Sequence, residues 1–287
     1  MNTQYDDYEK LHFSIEDGVA TVSIFNPPMN LLSRELFREL RRAVDTLEQD
    51  DDVKVVILRS AVPGWFIAHY DVTLVLEAPP ITEPQTEPWL LQRLTERLRI
   101  MPKATIAVLE GRAGGGGSEI ALSCDMRFAS PHTILNQPEV ALGLLPGGSG
   151  TQRLPRLVGR SRALEAILGC DDIDADTAER WGWVNRVLAE DRLAPFVTTL
   201  ATRIASFPQY AVAAAKAAVL LAEGDLLTGL IKEANASNML ASHPDTQTAL
   251  RHFLKLGGQT LQGEEHLGKL VALTTQYNQM SHATREP

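Results

Sequence analysis

The sequence predicts an α/β fold built from repeated ββα units, and three stretches carry that prediction. Residues 11–15 and 19–24 read as two strands with Glu16-Asp17-Gly18 as turn residues between them, the pattern of a hairpin. Ser33 then stands where it can cap a helix running to about Asp50, with Leu36, Leu40, Val44 and Leu47 on one face. Residues 105–109 form an apolar strand that leads into Gly114, Gly115, Gly116 and Gly117, followed by Ile120, Ala121, Leu122 and Cys124 as a buried helix. Strand pair, helix, strand and glycine turn in that order suggest ββα repeats rather than a dinucleotide-binding fold.

The remaining elements follow in order. Pro27-Pro28 breaks the pattern after the hairpin, and residues 53–58, apolar except for Lys54, read as a strand buried on both faces. Residues 77–88 contain four prolines and predict a loop. A helix over 89–100 ends at Met101-Pro102. Further helices are expected over 151–158, 162–168 and 175–181, with a strand over 184–188. The rest reads as helical: 197–205, the alanine-rich 210–222, 226–241, and 245–256 stopped by Gly257-Gly258. Leu267, Leu270, Val271 and Leu273 suggest one more helix after Gly263. We expect residues 1–205 to form the core and 206–287 a helical C-terminal region.

Composition narrows the function. The 287 residues suffice for a full core, and 44% hydrophobic with 22% charged residues is ordinary for a globular chain. A net charge of -9 argues against nucleic acid and against anionic membranes as partners. A polyanionic ligand would need local basic residues to offset that field. The polar, acidic start and the lack of a run of spanning length predict neither a targeting signal nor a membrane segment. Two cysteines, Cys124 and Cys170, suggest no disulfide framework, so a cytoplasmic location is expected. The scattered histidines show no metal-ligand spacing, and no serine nucleophile elbow is present.

The glycine passage is where chemistry is expected. A strand, a glycine turn and a helix start leave backbone N–H groups open to a ligand at the positive end of a helix dipole. Glu119 lies in the first turn of that helix, and Glu139 follows in Gln137-Pro138-Glu139. Oxyanion donors beside paired carboxylates suit acid–base chemistry next to a carbonyl. Glycine runs are often linkers, but a linker is not flanked at once by a strand and an apolar helix. The Lys-Ser/Thr ending of a nucleotide-binding loop is missing. Glu119 alone also fits a simple helix-start charge.

Lys103 to Gly111, Ala113, Gly115-Gly116-Gly117, Glu119, Ala121-Leu122, Cys124-Asp125 and Ala129-Ser130 together resemble the enoyl-CoA hydratase/isomerase (crotonase) superfamily. So do Gln137-Pro138-Glu139-Val140, Leu142 to Gly147, and Gly150 to Gly159, the resemblance running from about Val19 to about Leu188. It implies a right-handed spiral of ββα units with a C-terminal helical part that assembles trimers, often paired as hexamers. It implies an acyl-CoA substrate, with coenzyme A part of that substrate and no separate cofactor.

By the same resemblance, Phe66 to Asp71 aligns with the family's Phe-Ser-Ala-Gly-Ala-Asp, so Tyr70 and Gly116 become the two backbone oxyanion donors. Ala68, His69, Asp71 and Gly115 become substrate-contacting positions, and the proline-rich loop a wall of the acyl pocket. Glu139 is assigned proton transfer at C2 and Glu119 the water, the arrangement of an enoyl-CoA hydratase. His69 departs from the family, because it replaces a glycine. It fits a pocket-lining residue, a third acid–base group, or a structural histidine. A Δ3,Δ2-enoyl-CoA isomerase, and a CoA-ester-binding subunit with a vestigial site, are the alternatives. Arg153 and Arg156 read as helix-surface or ion-pair residues, and Arg251 and Lys255 as weak partners for coenzyme A phosphates.

Overall fold

The computed structural model describes residues 3–77, 87–224, 243–257, 259 and 267–283. Strands β1 (Leu11–Glu16) and β2 (Val19–Ile24) pair antiparallel, with Leu11 opposite Ile24. Asp17 and Gly18 between them both take positive φ, the geometry that matches the strand twist. Helix α1 (Arg34–Gln49) starts where Ser33 accepts the Leu36 N–H, and buries Leu36, Phe37, Leu40, Ala43, Val44 and Leu47.

Three passes of the chain then repeat one plan. Strand β3 (Val55–Ser60) is followed by β4 (Gly64–Ile67) and helices α2 (Val72–Leu76) and α3 (Leu90–Ile100). Strand β5 (Ala104–Leu109) is followed by β6 (Gly111–Gly114) and α4 (Gly116–Leu122). Strand β7 (Met126–Ala129) is followed by β8 (Ile134–Asn136), a 3₁₀ turn (Glu139–Leu142), and helices α5 (Gly150–Val158) and α6 (Arg160–Gly169). Short strands β9 (Ile173–Asp174) and β10 (Arg186–Val187) flank α7 (Ala175–Trp181), and α8 (Glu190–Ala205) follows.

The first strand of each pass joins a six-stranded sheet of order β1-β2-β3-β5-β7-β10, and the second joins a four-stranded sheet of order β4-β6-β8-β9. In the large sheet β2, β3, β5, β7 and β10 run parallel. In the small sheet β4, β6 and β8 run parallel, so their C-terminal ends share one edge. The chain changes sheet through Glu110 alone between β5 and β6. A methyl group at Gly111 would overlap the Gly64 carbonyl carbon, so only glycine lets the two passes cross there.

One face of the large sheet, with Val22, Val56 and Leu58, packs against α1, α3 and Ile120 of α4. On the other face α8 lies against β2, β3 and β7, with Phe128 edge-on to Phe196 at 5.1 Å between ring centroids. Sheets covered on both faces take continuous apolar strands, which is the pattern of β5.

Several elements differ from expectation. Strand 184–188 shrinks to Arg186–Val187, because Trp183 and Val184 turn into the core and the Asn185 side chain accepts from the Arg127 backbone N–H. Helix α4 stops at Leu122, before Cys124, where the buried Arg127 guanidinium donates to the carbonyls of Cys124, Trp183 and Ala121. A cation on those C-terminal carbonyls opposes the helix dipole and seals the end. Helix α8 begins at Glu190, upstream of the expected 197. The expected helix over 226–241, and residues 78–86 of the proline-rich loop, lie outside the described residues.

The chain divides into two compact units, Met1–Ala205 and Ser206–Pro287. The second contains helices Gln209–Leu221, Pro244–Lys255 and Leu267–Ala283. Tyr210 stacks on His243 with ring centroids 4.2 Å apart. The last two helices meet where Lys255 donates to the Tyr277 hydroxyl at 2.8 Å.

Candidate active site

The C-terminal ends of β4, β6 and β8 deliver, respectively, residues 68–71, Gly115-Gly116, and Gln137 to Glu139. Ligands in sheets of parallel strands bind outside the carboxyl ends, and this edge gathers most of the expected site residues. The ends are pinned together: the Gly114 N–H donates to Ala68 O at 3.0 Å and the Gly115 N–H to Asn136 O at 3.2 Å. Gly117 packs so closely on Ile67 that a methyl group there would overlap the Ile67 carbonyl. Gly115 has φ +45°, and a Cβ there would sit 2.7 Å from Glu139 Oε1. The glycine run therefore exists for close approach and not for flexibility.

Two backbone donors face out of this edge. His69 O accepts the Leu32 N–H at 2.9 Å. In a trans peptide C=O and N–H point oppositely, so the Tyr70 N–H points away from that bridge. Gly115 O likewise accepts the Glu119 N–H at 2.9 Å inside the helix, so the Gly116 N–H points out of the α4 N-terminus. Among the described residues neither N–H donates to a protein acceptor in the surrounding bonds, where Ala68, Asp71, Gly114 and Gly115 all do. The two segments touch, since a Cβ at Gly116 would lie 3.5 Å from Tyr70 N.

Glu119 is 2% exposed, and its Oε1 accepts the N–H groups of Gly148 and Gly150, each at 2.7 Å. Ser149 between them has φ +114°, which aims both N–H groups at one oxygen and forms an anion nest at the start of α5. Glu119 thus meets a helix dipole, but that of α5 and not of its own helix. Burial pushes its carboxyl up to about 7, the two N–H groups oppose the rise, and the nearby Glu139 adds to it.

Glu139 sits in the 3₁₀ turn with its Oε2 buried and, among the described residues, without a hydrogen-bond partner. Burial raises its carboxyl too, offset by its own backbone N–H and by His69. Gln137 is fully buried, and neither atom of its amide has a partner among the described residues. Its Nε2 lies 3.2 Å, and Glu119 Oε1 3.1 Å, from where a Cβ at Gly150 would stand. Gln137 therefore shares the Glu119 pocket. Sequence reasoning saw Gln137 only as part of a motif and missed the Gly148-Ser149-Gly150 nest; the glycine pair around a serine just before a helix was the available signal.

Not every expected residue faces the site. The Asp71 carboxylate caps α2, accepting from Thr73 N at 3.0 Å and Thr73 Oγ1 at 2.8 Å. Arg153 is mostly buried and bonds Ser149 Oγ and Glu96, an ion-pair role, and Arg156 bonds the Gln152 carbonyl on its own helix. Lys255 is engaged by Tyr277, and Arg251 reaches Thr248 at 3.5 Å. His69 Nδ1 bonds Tyr70 O at 2.8 Å. Among the described residues no cluster of three His, Cys, Asp or Glu is placed to hold a metal ion.

A buried and a half-buried carboxyl beside two outward N–H groups suit acid–base chemistry next to a carbonyl, and proteins of similar sequence and fold are known. The chain is 34% identical over 252 residues to the crotonyl-CoA hydratase of Syntrophomonas wolfei, covering 86% of this chain and 96% of that one. It is 36% identical over 242 residues to the short-chain-enoyl-CoA hydratase of Clostridium acetobutylicum, covering 84% and 92%. The crystal structure of an enoyl-CoA hydratase from Geobacillus kaustophilus superposes with a TM-score of 0.81 at 33% identity, over 87% of this chain and 95% of that one. The profile of one family, described as enoyl-CoA hydratase/isomerase, spans residues 14–257. With its ββα passes and its glycine-built edge accounted for, the chain belongs to the enoyl-CoA hydratase/isomerase family.

Proposed function

We propose that this chain is an enoyl-CoA hydratase, adding water across the C2=C3 bond of a 2-enoyl-CoA thioester. The observation that carries the reading is the pair of differently held carboxyls, buried Glu119 and half-buried Glu139, beside the outward N–H groups of Tyr70 and Gly116. The thioester oxygen accepts from both N–H groups, which draws electron density from the conjugated double bond and stabilises the enolate oxygen as it forms. Water bound to Glu119 loses a proton to that carboxylate as its oxygen attacks C3. Glu139, through its unpaired Oε2, delivers a proton to C2. Two carboxyls both raised by burial can share a single proton near neutrality, the state in which one accepts and the other donates.

The nest supports this division of labour. Two N–H groups fix Glu119 Oε1 and leave Oε2 for the water, while Gln137 supplies a further donor and acceptor alongside. Ala68, His69 and Gly115 border the thioester in this reading, and Asp71 contributes by capping α2 behind Tyr70. Proton transfer suffices for the reaction, and coenzyme A enters with the substrate. A cytoplasmic homotrimer or hexamer belongs to the same proposal. The exposed Leu142, Leu145 and Leu168 supply apolar surface for such an assembly.

The test is hydration of a panel of 2-enoyl-CoA thioesters, followed by loss of the conjugated enoyl absorbance. Glu119→Gln and Glu139→Gln are each expected to lower kcat by about 10²–10⁴. Full activity in either variant overturns the two-carboxyl mechanism, and no turnover on any thioester overturns the reaction.

A further inference from the structure

We infer that His69 is a positioning residue that joins the two halves of this site, bracing the Tyr70 donor segment with one ring nitrogen and presenting the imidazole to the Glu139 carboxylate across Gly115. The inference rests on the hydratase reading for its kinetic consequences, and on geometry for the coupling itself.

Three observations carry it. His69 Nδ1 lies 2.8 Å from Tyr70 O, and a carbonyl only accepts, so Nδ1 holds the hydrogen of this bond. The side chain thus closes a ring across residue 70, while His69 O is fixed by the Leu32 N–H. Both flanks of the peptide carrying the Tyr70 N–H are therefore held. The missing Cβ of Gly115 marks the second contact: Glu139 Oε1 lies 2.7 Å and His69 Cβ 3.5 Å from that one point. A side chain at Gly115 would stand against both the Glu139 carboxylate and the base of the His69 side chain.

The φ of His69 is not positive, so nothing in the backbone calls for glycine at this position. The side chain adds a function without adding strain. Around the pair, the charged or titratable groups among the described residues are Glu119 from α4 and Arg153 from α5, with Tyr70, Asp71 and Arg34 on the side of the donor segment. A positive charge on the His69 imidazole lowers the Glu139 carboxyl, against the effect of burial. Losing it makes Glu139 hold its proton to higher pH.

The experiment compares wild type with His69→Asn and His69→Ala. Asparagine places an amide N–H near the position of Nδ1–H and carries no charge; alanine supplies neither. Titration of the Glu139 carboxyl carbon by NMR, assigned with Glu139→Gln, is expected to move up by about one pH unit in both variants. The basic limb of the hydration profile, where the proton destined for C2 is lost, is expected to move up with it. KM is expected to stay within about twofold of wild type in His69→Asn and to rise about fivefold in His69→Ala, where the hydrogen bond is gone. A Glu139 midpoint unchanged in His69→Asn overturns the coupling, and equal KM in the two variants overturns the brace. If the midpoint shifts as expected while wild type hydrates no enoyl-CoA, the coupling stands and the hydratase reading fails. His69→Gln serves as the second uncharged variant if His69→Asn does not fold.

Discussion

In the six-stranded sheet, β5 buries every residue from Ala104 to Leu109, and β3 buries its first four. In the four-stranded sheet the strands are two to four residues long, and their ends carry glycines, carboxyls and an amide in place of aliphatic side chains. The large sheet satisfies packing, pairing and propensity together. The edge of the small one collects exceptions: a carboxyl at 2% exposure, a buried Gln137 without a partner among the described residues, and Ser149 at φ +114°. Exceptions of this kind cost stability and concentrate where a site is pre-organised. Substitutions in the two sheets should therefore move stability in opposite directions.

The largest expected effect is in the scaffold. Ile106→Ala in β5 removes a fully buried side chain and is expected to destabilise by about 2–5 kcal/mol, read from the denaturation midpoint. Its kcat per folded molecule is expected to match wild type, and a kcat loss beyond twofold would mean that the large sheet tunes the site directly.

In the site, Glu119→Gln is expected to stabilise. Burial raises this carboxyl from the usual 4.5 to about 7, so the folded state binds the proton more tightly than the unfolded chain. The penalty on folding is absent below about pH 4, grows as pH rises through the interval, and is complete above about pH 7. Glutamine keeps an acceptor for the Gly148 and Gly150 N–H groups, so at pH 8 the variant should gain about 3 kcal/mol. Thermal unfolding at pH 4 and pH 8 checks the sign; equal stabilities at both pH values would refute the burial argument.

The smallest effect is at Gln137. Gln137→Leu removes two buried atoms that have no partner among the described residues, and is expected to raise stability by about 1 kcal/mol while lowering kcat about tenfold through poorer positioning of water. Lower stability together with unchanged kcat would make Gln137 a structural residue and narrow the contrast between the sheets.

The same contrast marks how far the sequence was legible. Hairpin, α1, β3 and β5 were readable because each is long enough for its apolar period to show, and Ser33 and Asp17-Gly18 mark their own boundaries. Strands β4, β6 and β8 were not, because three or four residues are too few for a period to show. Glu119, Glu139 and the glycine run stood out by residue type. The partners that give them character did not: the Gly148-Ser149-Gly150 nest is about thirty residues from Glu119, and Gly115 separates His69 from Glu139.

The sequence by itself determined the hairpin, the first long helix, the long apolar strands, the glycine run, and the identities of the groups that can move a proton, since periodicity, turn chemistry and acidity belong to single residues and their neighbours. Only the tertiary structure decided that three strand ends share one edge, that Glu119 is buried and Glu139 half-buried, and that Tyr70 and Gly116 turn their N–H groups outward. Depth, hydrogen-bond direction and charge proximity arise between distant segments, and no local pattern encodes them.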